Sequence, residues 1–369
     1  RPFPEAVVAL PPATIFARAP SRDALALALR TRTACEDGPV RMALVARSPG
    51  ELDAMATAAV EALEQNLRPA GPGVHFGEGP PPGAVAFLYP GMGSAYDGVG
   101  GRLMVAFPDI IDALLAEHVG KPDAVLDAFA GFRENDRAID HARASAVYAG
   151  LSTRILEDVL GVRPCAAIGL SIGEANMLLA QRIWRADGEA ILSALDANGF
   201  FDGYTGRQDR IRDALGLAPE PAFAWRNVQV FAPIERVELV AAEITGCIVS
   251  MILSPTLAVL SGPAEACDRA VQILGQDFTI SQPLDLSMHG PQAAGCEAML
   301  RTIHRLETVP RPDLTIYHAL DGNPGVQESE ALAERYAAAV CRSIDLRPAL
   351  RRAHADGNRI FVDVGPRAM

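Results

Sequence analysis

The sequence predicts an α/β protein whose main domain is built on a parallel sheet. The run Ala84–Tyr89 is apolar throughout, which is typical of a strand buried on both faces of such a sheet. A second apolar run, Pro164–Ile168, leads into a helix-forming stretch, so strands and helices alternate. Residues 225–284 instead follow the order β-α-β-β-α-β of a ferredoxin-like unit. The predicted parts are a small α/β module, a large α/β domain in two segments and an inserted ferredoxin-like subdomain, over residues 1–83, 84–224 with 285–369, and 225–284.

The first module is predicted from two strand-like runs and two capped helices. Ser21 is a suitable N-cap for a helix to about residue 33. Ser48 opens the pattern of N-cap, first-turn proline and capping-box acid, which predicts a helix to about residue 66. The strands are predicted over residues 13–17 and 42–46. Residues 69–83 are dense in Gly and Pro and are predicted to form a boundary.

The large domain is predicted to continue the alternation of strands and helices. Strands are expected just before Ser171 and over residues 314–317 and 359–364. Helical patterns cover residues 108–118, 122–131, 140–160, 291–306 and 328–342.

The composition is that of a globular chain and argues against several classes of protein. Hydrophobic residues make up 49% and charged residues 21% of the 369 residues, which supplies ample material for a core. The net charge of −12 and the lack of a Lys/Arg-rich block argue against nucleic acid as a partner. No apolar run reaches the roughly 18–20 residues that a membrane span needs. No signal-peptide pattern opens the chain, so a cytoplasmic protein without a membrane partner is expected.

The six cysteines show no C-x-x-C spacing, which predicts neither a metal site nor a disulfide framework. They are expected to be buried thiols. The chain begins without Met and stops soon after a Gly-Pro turn, so it is expected to be a domain of a longer protein.

The stretch Gly169–Glu174 has the pattern Gly-x-Ser-x-Gly between an apolar run and a helix-forming run. Such a strand-turn-helix context presents the serine at a sharp turn and offers helix N–H groups to an oxyanion, so Ser171 is the predicted nucleophile. The glycine-rich loop Pro90–Ser94 could supply a second oxyanion N–H, although a tight turn without a role explains its glycines equally well.

A serine nucleophile needs a base, and His289 is the best of seven histidines because it follows a strand end beside a glycine. A structural role at the start of the next helix is the alternative. His318 ends a strand and could line the same pocket. The histidines in polar helical surroundings are expected to be solvated, and these are His118, His141, His304 and His354.

Five blocks of sequence together resemble the acyltransferase domains of modular polyketide and fatty acid synthases, including malonyl-CoA:acyl carrier protein transacylases. Their wording is closest to that of polyunsaturated fatty acid synthases. The resemblance covers residues 84–369, and residues 13–80 look like the linker that joins a ketosynthase to such a domain. The blocks are Phe87–Ser94, Gly169–Glu174, Leu253–Gly262, Met288–Gly290 and Val362–Pro366.

The resemblance implies an α/β-hydrolase-like large domain and a Ser-His mechanism. Ser171 would be acylated by an acyl-CoA, His289 would act as general base and then acid, and the N–H groups of Ile172 and Met92 would form the oxyanion hole. It also implies that a main-chain carbonyl within Asp363–Pro366 orients the histidine. The acceptor would be the phosphopantetheine of an acyl carrier protein, with a ketosynthase in the same parent chain and no cofactor. The expected pocket residues are Gly91, Leu170, Asp196, Asn198, Ser254, Leu286, Ser287 and Met288.

The chain departs from the family pattern where substrate choice is made. Malonyl-using members carry an arginine about 25 residues after the nucleophile, and this chain has Asp196 and Asn198 in that region. A buried carboxylate without a partner is costly, so a dicarboxylic acyl unit is disfavoured unless another arginine substitutes. The candidates are Arg182, Arg185 and Arg207. Leu170, Met92 and Leu286–Met288 make the pocket more apolar than is usual in the family, which favours an uncharged acyl group.

Two other functions remain open at this point. One is a hydrolase that releases acyl chains to water. The other is a catalytically silent domain used for docking.

Overall fold

The computed structural model describes residues 13–33, 38–80, 82–92, 94, 101–117, 137–204, 209–215, 224–275, 279–281 and 286–365. The chain divides into two compact units. The first takes Arg1–Pro82 with Arg102–Ala106, and the second takes Gly83–Gly101 with Phe107–Met369.

The strands form three separate sheets. In chain order they are β1 (Ala13–Ala19), β2 (Val40–Ala46), β3 (Val74–Gly77), β4 (Ala84–Tyr89), β5 (Ala166–Gly169), β6 (Trp225–Phe231), β7 (Ile248–Ser254), β8 (Leu257–Pro263), β9 (Thr279–Ser281), β10 (Thr315–His318), β11 (Ile344–Asp345) and β12 (Asn358–Asp363).

The helices include one π-helical and one 3₁₀ segment, Ile155–Val159 and Pro291–Cys296. The α-helices are α1 (Arg22–Thr31), α2 (Pro49–Glu64), α3 (Gly101–Ala106), α4 (Pro108–Glu117), α5 (Ala138–Arg154), α6 (Ile172–Ala180), α7 (Gly188–Ala197), α8 (Phe200–Tyr204), α9 (Asp209–Leu215), α10 (Ile234–Ala242), α11 (Ala264–Leu274), α12 (Glu297–Ile303), α13 (Ser329–Cys341) and α14 (Arg347–Ala355).

The first unit contains an antiparallel sheet in the order β1-β2-β3, with α1 and α2 packed on it. Ser21 and Ser48 cap the two helices, because each hydroxyl accepts an N–H at 3.2 Å from a residue in the first turn. The prediction that residues 69–83 form only a boundary is wrong. Strand β3 lies there and packs Val74 and Phe76 against the core, but four residues flanked by glycines are too few to show a periodic pattern.

The large sheet has the order β10-β5-β4-β12, and all of its neighbouring strands are parallel. Along β4, Phe87 and Tyr89 point into one hydrophobic core, whereas Ala86 points into a second core on the opposite face. Both faces of the strand are therefore buried, which explains its continuous apolar run. The predicted α/β class with a parallel sheet is confirmed.

The predicted helices of the large domain agree with the structure in part. The patterns at 108–118 and 328–342 correspond to α4 and α13, and the one at 122–131 lies outside the described residues. The pattern at 140–160 ends in the π-helix, and the one at 291–306 begins as a 3₁₀ helix. Helix α14 was not predicted, because only alanines, Ala349 and Ala353, form its buried face.

The inserted subdomain follows the predicted β-α-β-β-α-β order through β6, α10, β7, β8, α11 and β9. Its strands lie in the order β7-β8-β6-β9, with antiparallel neighbours. Strand β11, from the C-terminal segment of the large domain, adds to the edge of this sheet in parallel with β7. The chain that leaves α13 therefore joins the small sheet directly.

Gly173, in the first turn of α6, allows this helix to start close against the end of β4. A β-carbon at this position would overlap the carbonyl oxygen of Tyr89 and crowd that of Pro90. Both obstacles are backbone atoms of the large sheet or its loop, so they cannot turn aside as a flexible side chain would.

We expect Gly173→Ala to destabilise the protein by about 1–3 kcal/mol, the usual range for overpacking, and to displace the turn that carries Ser171. Chemical denaturation monitors the first effect. Gly295→Ala is the matched control, since its new methyl group would meet nothing closer than the Tyr204 hydroxyl at 3.7 Å. Equal stability of the two variants would show that the β4 end can yield.

Candidate active site

Ser171 stands at the turn between β5 and α6, with backbone angles of φ 59° and ψ −129°. A non-glycine residue in this region is strained by about 1–3 kcal/mol and persists only where its surroundings enforce the conformation. Here the preceding residue is fixed by the hydrogen bond from the Leu170 N–H to the Tyr89 carbonyl at 2.9 Å. The sharp turn predicted from Gly-x-Ser-x-Gly is therefore present.

His289 reaches Ser171 from a loop that precedes the 3₁₀ helix. Its Nε2 lies 2.8 Å from Ser171 Oγ, and its Nδ1 lies 2.9 Å from the carbonyl oxygen of Ala339. A carbonyl oxygen only accepts hydrogen bonds, so Nδ1 must carry the proton. Nε2 is then unprotonated and accepts from the serine hydroxyl, which is the arrangement that a general base requires.

The carbonyl that orients His289 belongs to Ala339 in α13, and the expectation that it lies within Asp363–Pro366 is wrong. In that segment the Asp363 carboxylate accepts from the Gly365 N–H at 2.9 Å, and residue 366 lies outside the described part of the chain. Helix α13 passes beside the catalytic loop because the His289 N–H also donates to the Val340 carbonyl at 2.9 Å. A backbone acceptor leaves no side-chain signal by which the sequence could have revealed it.

The loop that carries His289 is fixed by several hydrogen bonds. Both the N–H and the hydroxyl of Ser287 donate to the carbonyl of Tyr204, at 3.1 and 3.0 Å. The side-chain amide of Gln292 donates to the carbonyls of Ser287 and Met288, each at 3.3 Å. These bonds oppose the strain of His289 itself, whose φ is 60°.

Burial determines the charge state of His289. The side chain is almost fully enclosed, and desolvation lowers its pKa to about 4, against a smaller raising effect of the backbone carbonyl of Ala339. The imidazole is therefore neutral at physiological pH. It can accept the serine proton without first losing one of its own.

The expected oxyanion donors lie on either side of Ser171. Ile172 is the first residue of α6, so its N–H has no acceptor within the helix. Met92 is half-buried and packs on the same core as Ile172. A β-carbon at Gly91 would lie 3.2 Å from the Leu170 carbonyl and 3.4 Å from Ser171 Cβ, so the glycine loop passes directly beside the nucleophile.

Three residues expected in the pocket take part in other contacts. Asp196 forms an ion pair with Arg137, at 2.6 Å between Oδ1 and Nη2, and is about one-third exposed. The Asn198 amide donates to the Ala194 carbonyl at the end of α7, and the Ser254 hydroxyl accepts from the Thr256 N–H in the β7-β8 turn. These contacts do not involve Ser171 or His289.

His318 contacts the residue three positions after the nucleophile and not the nucleophile itself. Its Nδ1 lies 2.5 Å from Oε1 of Glu174, and both side chains are fully buried. The expectation that His304 is solvated is wrong. Its Nδ1 bonds the Leu300 carbonyl at 2.8 Å, and its ring packs against Trp184 and Tyr336.

The expectation of buried thiols is correct for all described cysteines except Cys165, which is exposed. The buried ones are Cys247, Cys267, Cys296 and Cys341. Cys296 and Cys341 lie close to the catalytic loop, with 3.4 Å between their sulfur atoms. Within the described ranges, no group of three His, Cys, Asp or Glu side chains could hold a metal ion, and no helix is long and apolar enough to cross a membrane.

We expect the rate at which a fluorophosphonate probe labels Ser171 to stay level from pH 8 to about 5 and to fall only near pH 4, because only then does His289 become protonated. An unshifted histidine would give a midpoint near about 6.5. Circular dichroism at each pH separates loss of the base from unfolding. A midpoint at or above 6.5 would contradict the buried, neutral imidazole.

No family model matches the chain. A polyunsaturated fatty acid synthase polypeptide of Thraustochytrium sp. (strain ATCC 26185 / S-3) is 24% identical over 247 residues, which are 58% of this chain and 11% of that protein. The chain thus spans about one-tenth of the length of this relative.

Solved structures resemble the chain more completely. The acyltransferase domain from module 8 of the salinomycin polyketide synthase superposes with a TM-score of 0.71 at 19% identity, over 97% of this chain and 86% of the domain. The malonyl-CoA:acyl carrier protein transacylase FabD of Xanthomonas oryzae pv. oryzae gives a TM-score of 0.61 at 18% identity, over 77% and 88%. The chain therefore has the fold shared by the acyltransferase domains of polyketide synthases and by FabD.

Proposed function

We propose that the protein is an acyltransferase that moves an acyl group from an acyl-CoA, through an ester on Ser171, to the phosphopantetheine thiol of an acyl carrier protein. The observation that carries this proposal is the 2.8 Å hydrogen bond from Ser171 Oγ to His289 Nε2, made at a strained turn whose next residue begins a helix. The fold adds support, because the transacylases and synthase domains that share it act in acyl transfer.

In the first half-reaction, Ser171 Oγ attacks the carbonyl carbon of the acyl thioester while its proton passes to His289 Nε2. The new oxyanion lies between the N–H groups of Ile172 and Met92, whose hydrogen bonds stabilise its charge. The carbon–sulfur bond then breaks, and the proton on Nε2 goes to the departing CoA sulfur. An ester on Ser171 and free CoA thiol remain.

In the second half-reaction, the carrier thiol gives its proton to Nε2 and attacks the ester carbonyl. The same oxyanion donors act again, and the proton returns from Nε2 to Ser171 Oγ as the serine leaves. The Ala339 carbonyl holds the imidazolium in place during both halves, through the bond from Nδ1. The cycle is neutral overall and needs no metal or redox partner.

We further propose an uncharged acyl group as the substrate. The position where a carboxylate-binding arginine is expected holds Asp196, and this residue already neutralises Arg137. Arg182 and Arg185 are exposed, and residue 207 lies outside the described ranges. Leu170 and Met288 are buried beside the catalytic pair, so the neighbourhood offers an incoming acyl group apolar surface.

Partners follow from the same proposal. A carrier protein must present the acceptor thiol. A ketosynthase would use the loaded carrier, in keeping with the fatty acid synthase polypeptide to which the chain is similar.

Incubation with acetyl-CoA and a longer acyl-CoA should add one acyl mass to the protein, and Ser171→Ala should show no adduct. His289→Ala should slow acylation by about 10²–10⁴-fold, the usual contribution of a general base. Intact-mass spectrometry measures both. Ser152→Ala and His354→Ala are the controls, because neither takes part in the site. Persistence of the adduct on Ser171→Ala would overturn the proposal, and release of free acid in the presence of a carrier protein would favour the hydrolase.

We expect kcat/KM for an uncharged acyl-CoA to exceed that for malonyl-CoA by about a hundredfold. Two hydrogen bonds to a charged carboxylate, each contributing about 1.5–3 kcal/mol, are missing when the arginine is absent. Steady-state transfer to a carrier protein measures the ratio. A clear preference for malonyl-CoA would mean that another cation reaches the pocket, and would contradict the substrate class without affecting the Ser-His chemistry.

A further inference from the structure

A chain of side-chain hydrogen bonds crosses the small sheet and ends on the loop that carries His289. Ser250, Ser261 and Asn227 belong to three adjacent strands, β7, β8 and β6, and the last member bonds the backbone of Leu286. We infer that Asn227 is a positioning residue, which holds the catalytic loop so that His289 Nε2 stays within hydrogen-bond reach of Ser171. This inference rests on the proposed function.

The donors and acceptors fix the direction of the chain. The Ser261 hydroxyl donates to Asn227 Oδ1 at 2.7 Å, so its oxygen must accept from Ser250, 2.7 Å away. Asn227 Nδ2 then donates to the Leu286 carbonyl at 2.9 Å. The two ends of the amide have different tasks, because one accepts and the other donates. Neither an aspartate nor an apolar residue can perform both.

All three side chains are buried, with exposures of 7% for Asn227 and 1% for Ser250 and Ser261. Their neighbours along the strands, Val228 and Leu260, point into the helix-covered core of the subdomain. Because side chains alternate across a strand, the polar chain lies on the opposite face, toward the catalytic loop. A polar row buried there is costly unless it is satisfied, so its presence indicates a specific task.

The small sheet meets the catalytic loop at a second point as well. A β-carbon on Gly290 would overlap Cδ1 of Ile248, so this β7 side chain lies directly on the loop just after His289. Asn227 thus holds the loop before His289, and Ile248 limits it afterwards. Strand β11, which continues from α13, is tied to β7 by parallel pairing, so the Ala339 carbonyl is referred to the same sheet.

A shift at Leu286 would pass to His289 because the intervening residues are rigidly bonded. Ser287 is anchored to the Tyr204 carbonyl, and the Ser287 and Met288 carbonyls are bridged by Gln292. His289 has a positive φ and depends on such restraint. A displacement of about 1 Å at a reacting group can cost about 10²-fold in rate.

The test compares Asn227→Asp with Asn358→Asp in the full 369-residue chain. Asn358 is also buried, and its amide donates to a backbone carbonyl, that of Ala353 at 2.9 Å, but it contacts α14 and not the catalytic loop. The aspartate at 227 places a second acceptor against the Leu286 carbonyl and should push the loop away. We expect kcat per active site to fall at least tenfold in Asn227→Asp, with KM for the acyl-CoA within twofold of the parent value. Asn358→Asp should keep kcat per site within twofold.

Active sites are counted by fluorophosphonate titration, so a merely structural role would lower the number of sites and leave kcat per site unchanged. Ser261→Ala and Ser250→Ala give a graded series if Asn227→Asp does not fold. The loss of kcat should be larger for Ser261→Ala, which frees Asn227 directly, than for Ser250→Ala.

A kcat per site unchanged in Asn227→Asp, or equal losses in Asn227→Asp and Asn358→Asp, would overturn the inference. Failure of the proposed function is recognised separately, because the parent protein would then form no acyl ester from acyl-CoA. In that case the rate of fluorophosphonate labelling of Ser171 still tests Asn227, since this reaction uses His289 but no acyl donor. The same tenfold loss is expected there.

Discussion

A single hydrogen bond, 2.8 Å long, joins two residues that are 118 positions apart in the chain. Ser171 and His289 both adopt a positive φ, so neither would hold its conformation alone. The rest of the second unit supplies the restraint. The parallel sheet fixes the serine through the end of β4, and α13, the 3₁₀ helix and the small sheet fix the loop of the histidine. The fold can be understood as two frames that hold the two ends of this bond.

The two frames are built from different materials. The nucleophile depends on close backbone packing, in which Gly173 lies against the Tyr89 carbonyl and a side chain larger than hydrogen is excluded. The base depends on directed hydrogen bonds from Ser287, Gln292 and the Val340 carbonyl. Packing tolerates little change of volume, whereas hydrogen bonds tolerate little change of donor or acceptor. The serine and histidine sides of the site are therefore sensitive to different kinds of substitution.

The sequence predicted what is encoded locally. The turn around Ser171 could be predicted because strand, glycines and helix are contiguous, and the ferredoxin-like order because each element is long enough to show its period. Strand β3 and helix α14 were missed, since one is four residues long and the other buries mainly alanines. His289 was chosen for its neighbouring glycine, but Asn227 needed the register of β6 against β8 and the approach of a distant loop. Tertiary contacts of that kind have no local pattern.

The acceptor that orients His289 is a main-chain carbonyl, and this affects how the site would respond to genetic variation. Every amino acid at position 339 carries the same oxygen, so a side-chain replacement there leaves the acceptor in place. An alanine scan would pass over the position altogether, because the residue is already alanine. Only a change in the path of α13, such as the insertion or deletion of one residue, would turn the carbonyl away. The third member of the site is thus written in the length of a helix and not in the identity of a residue.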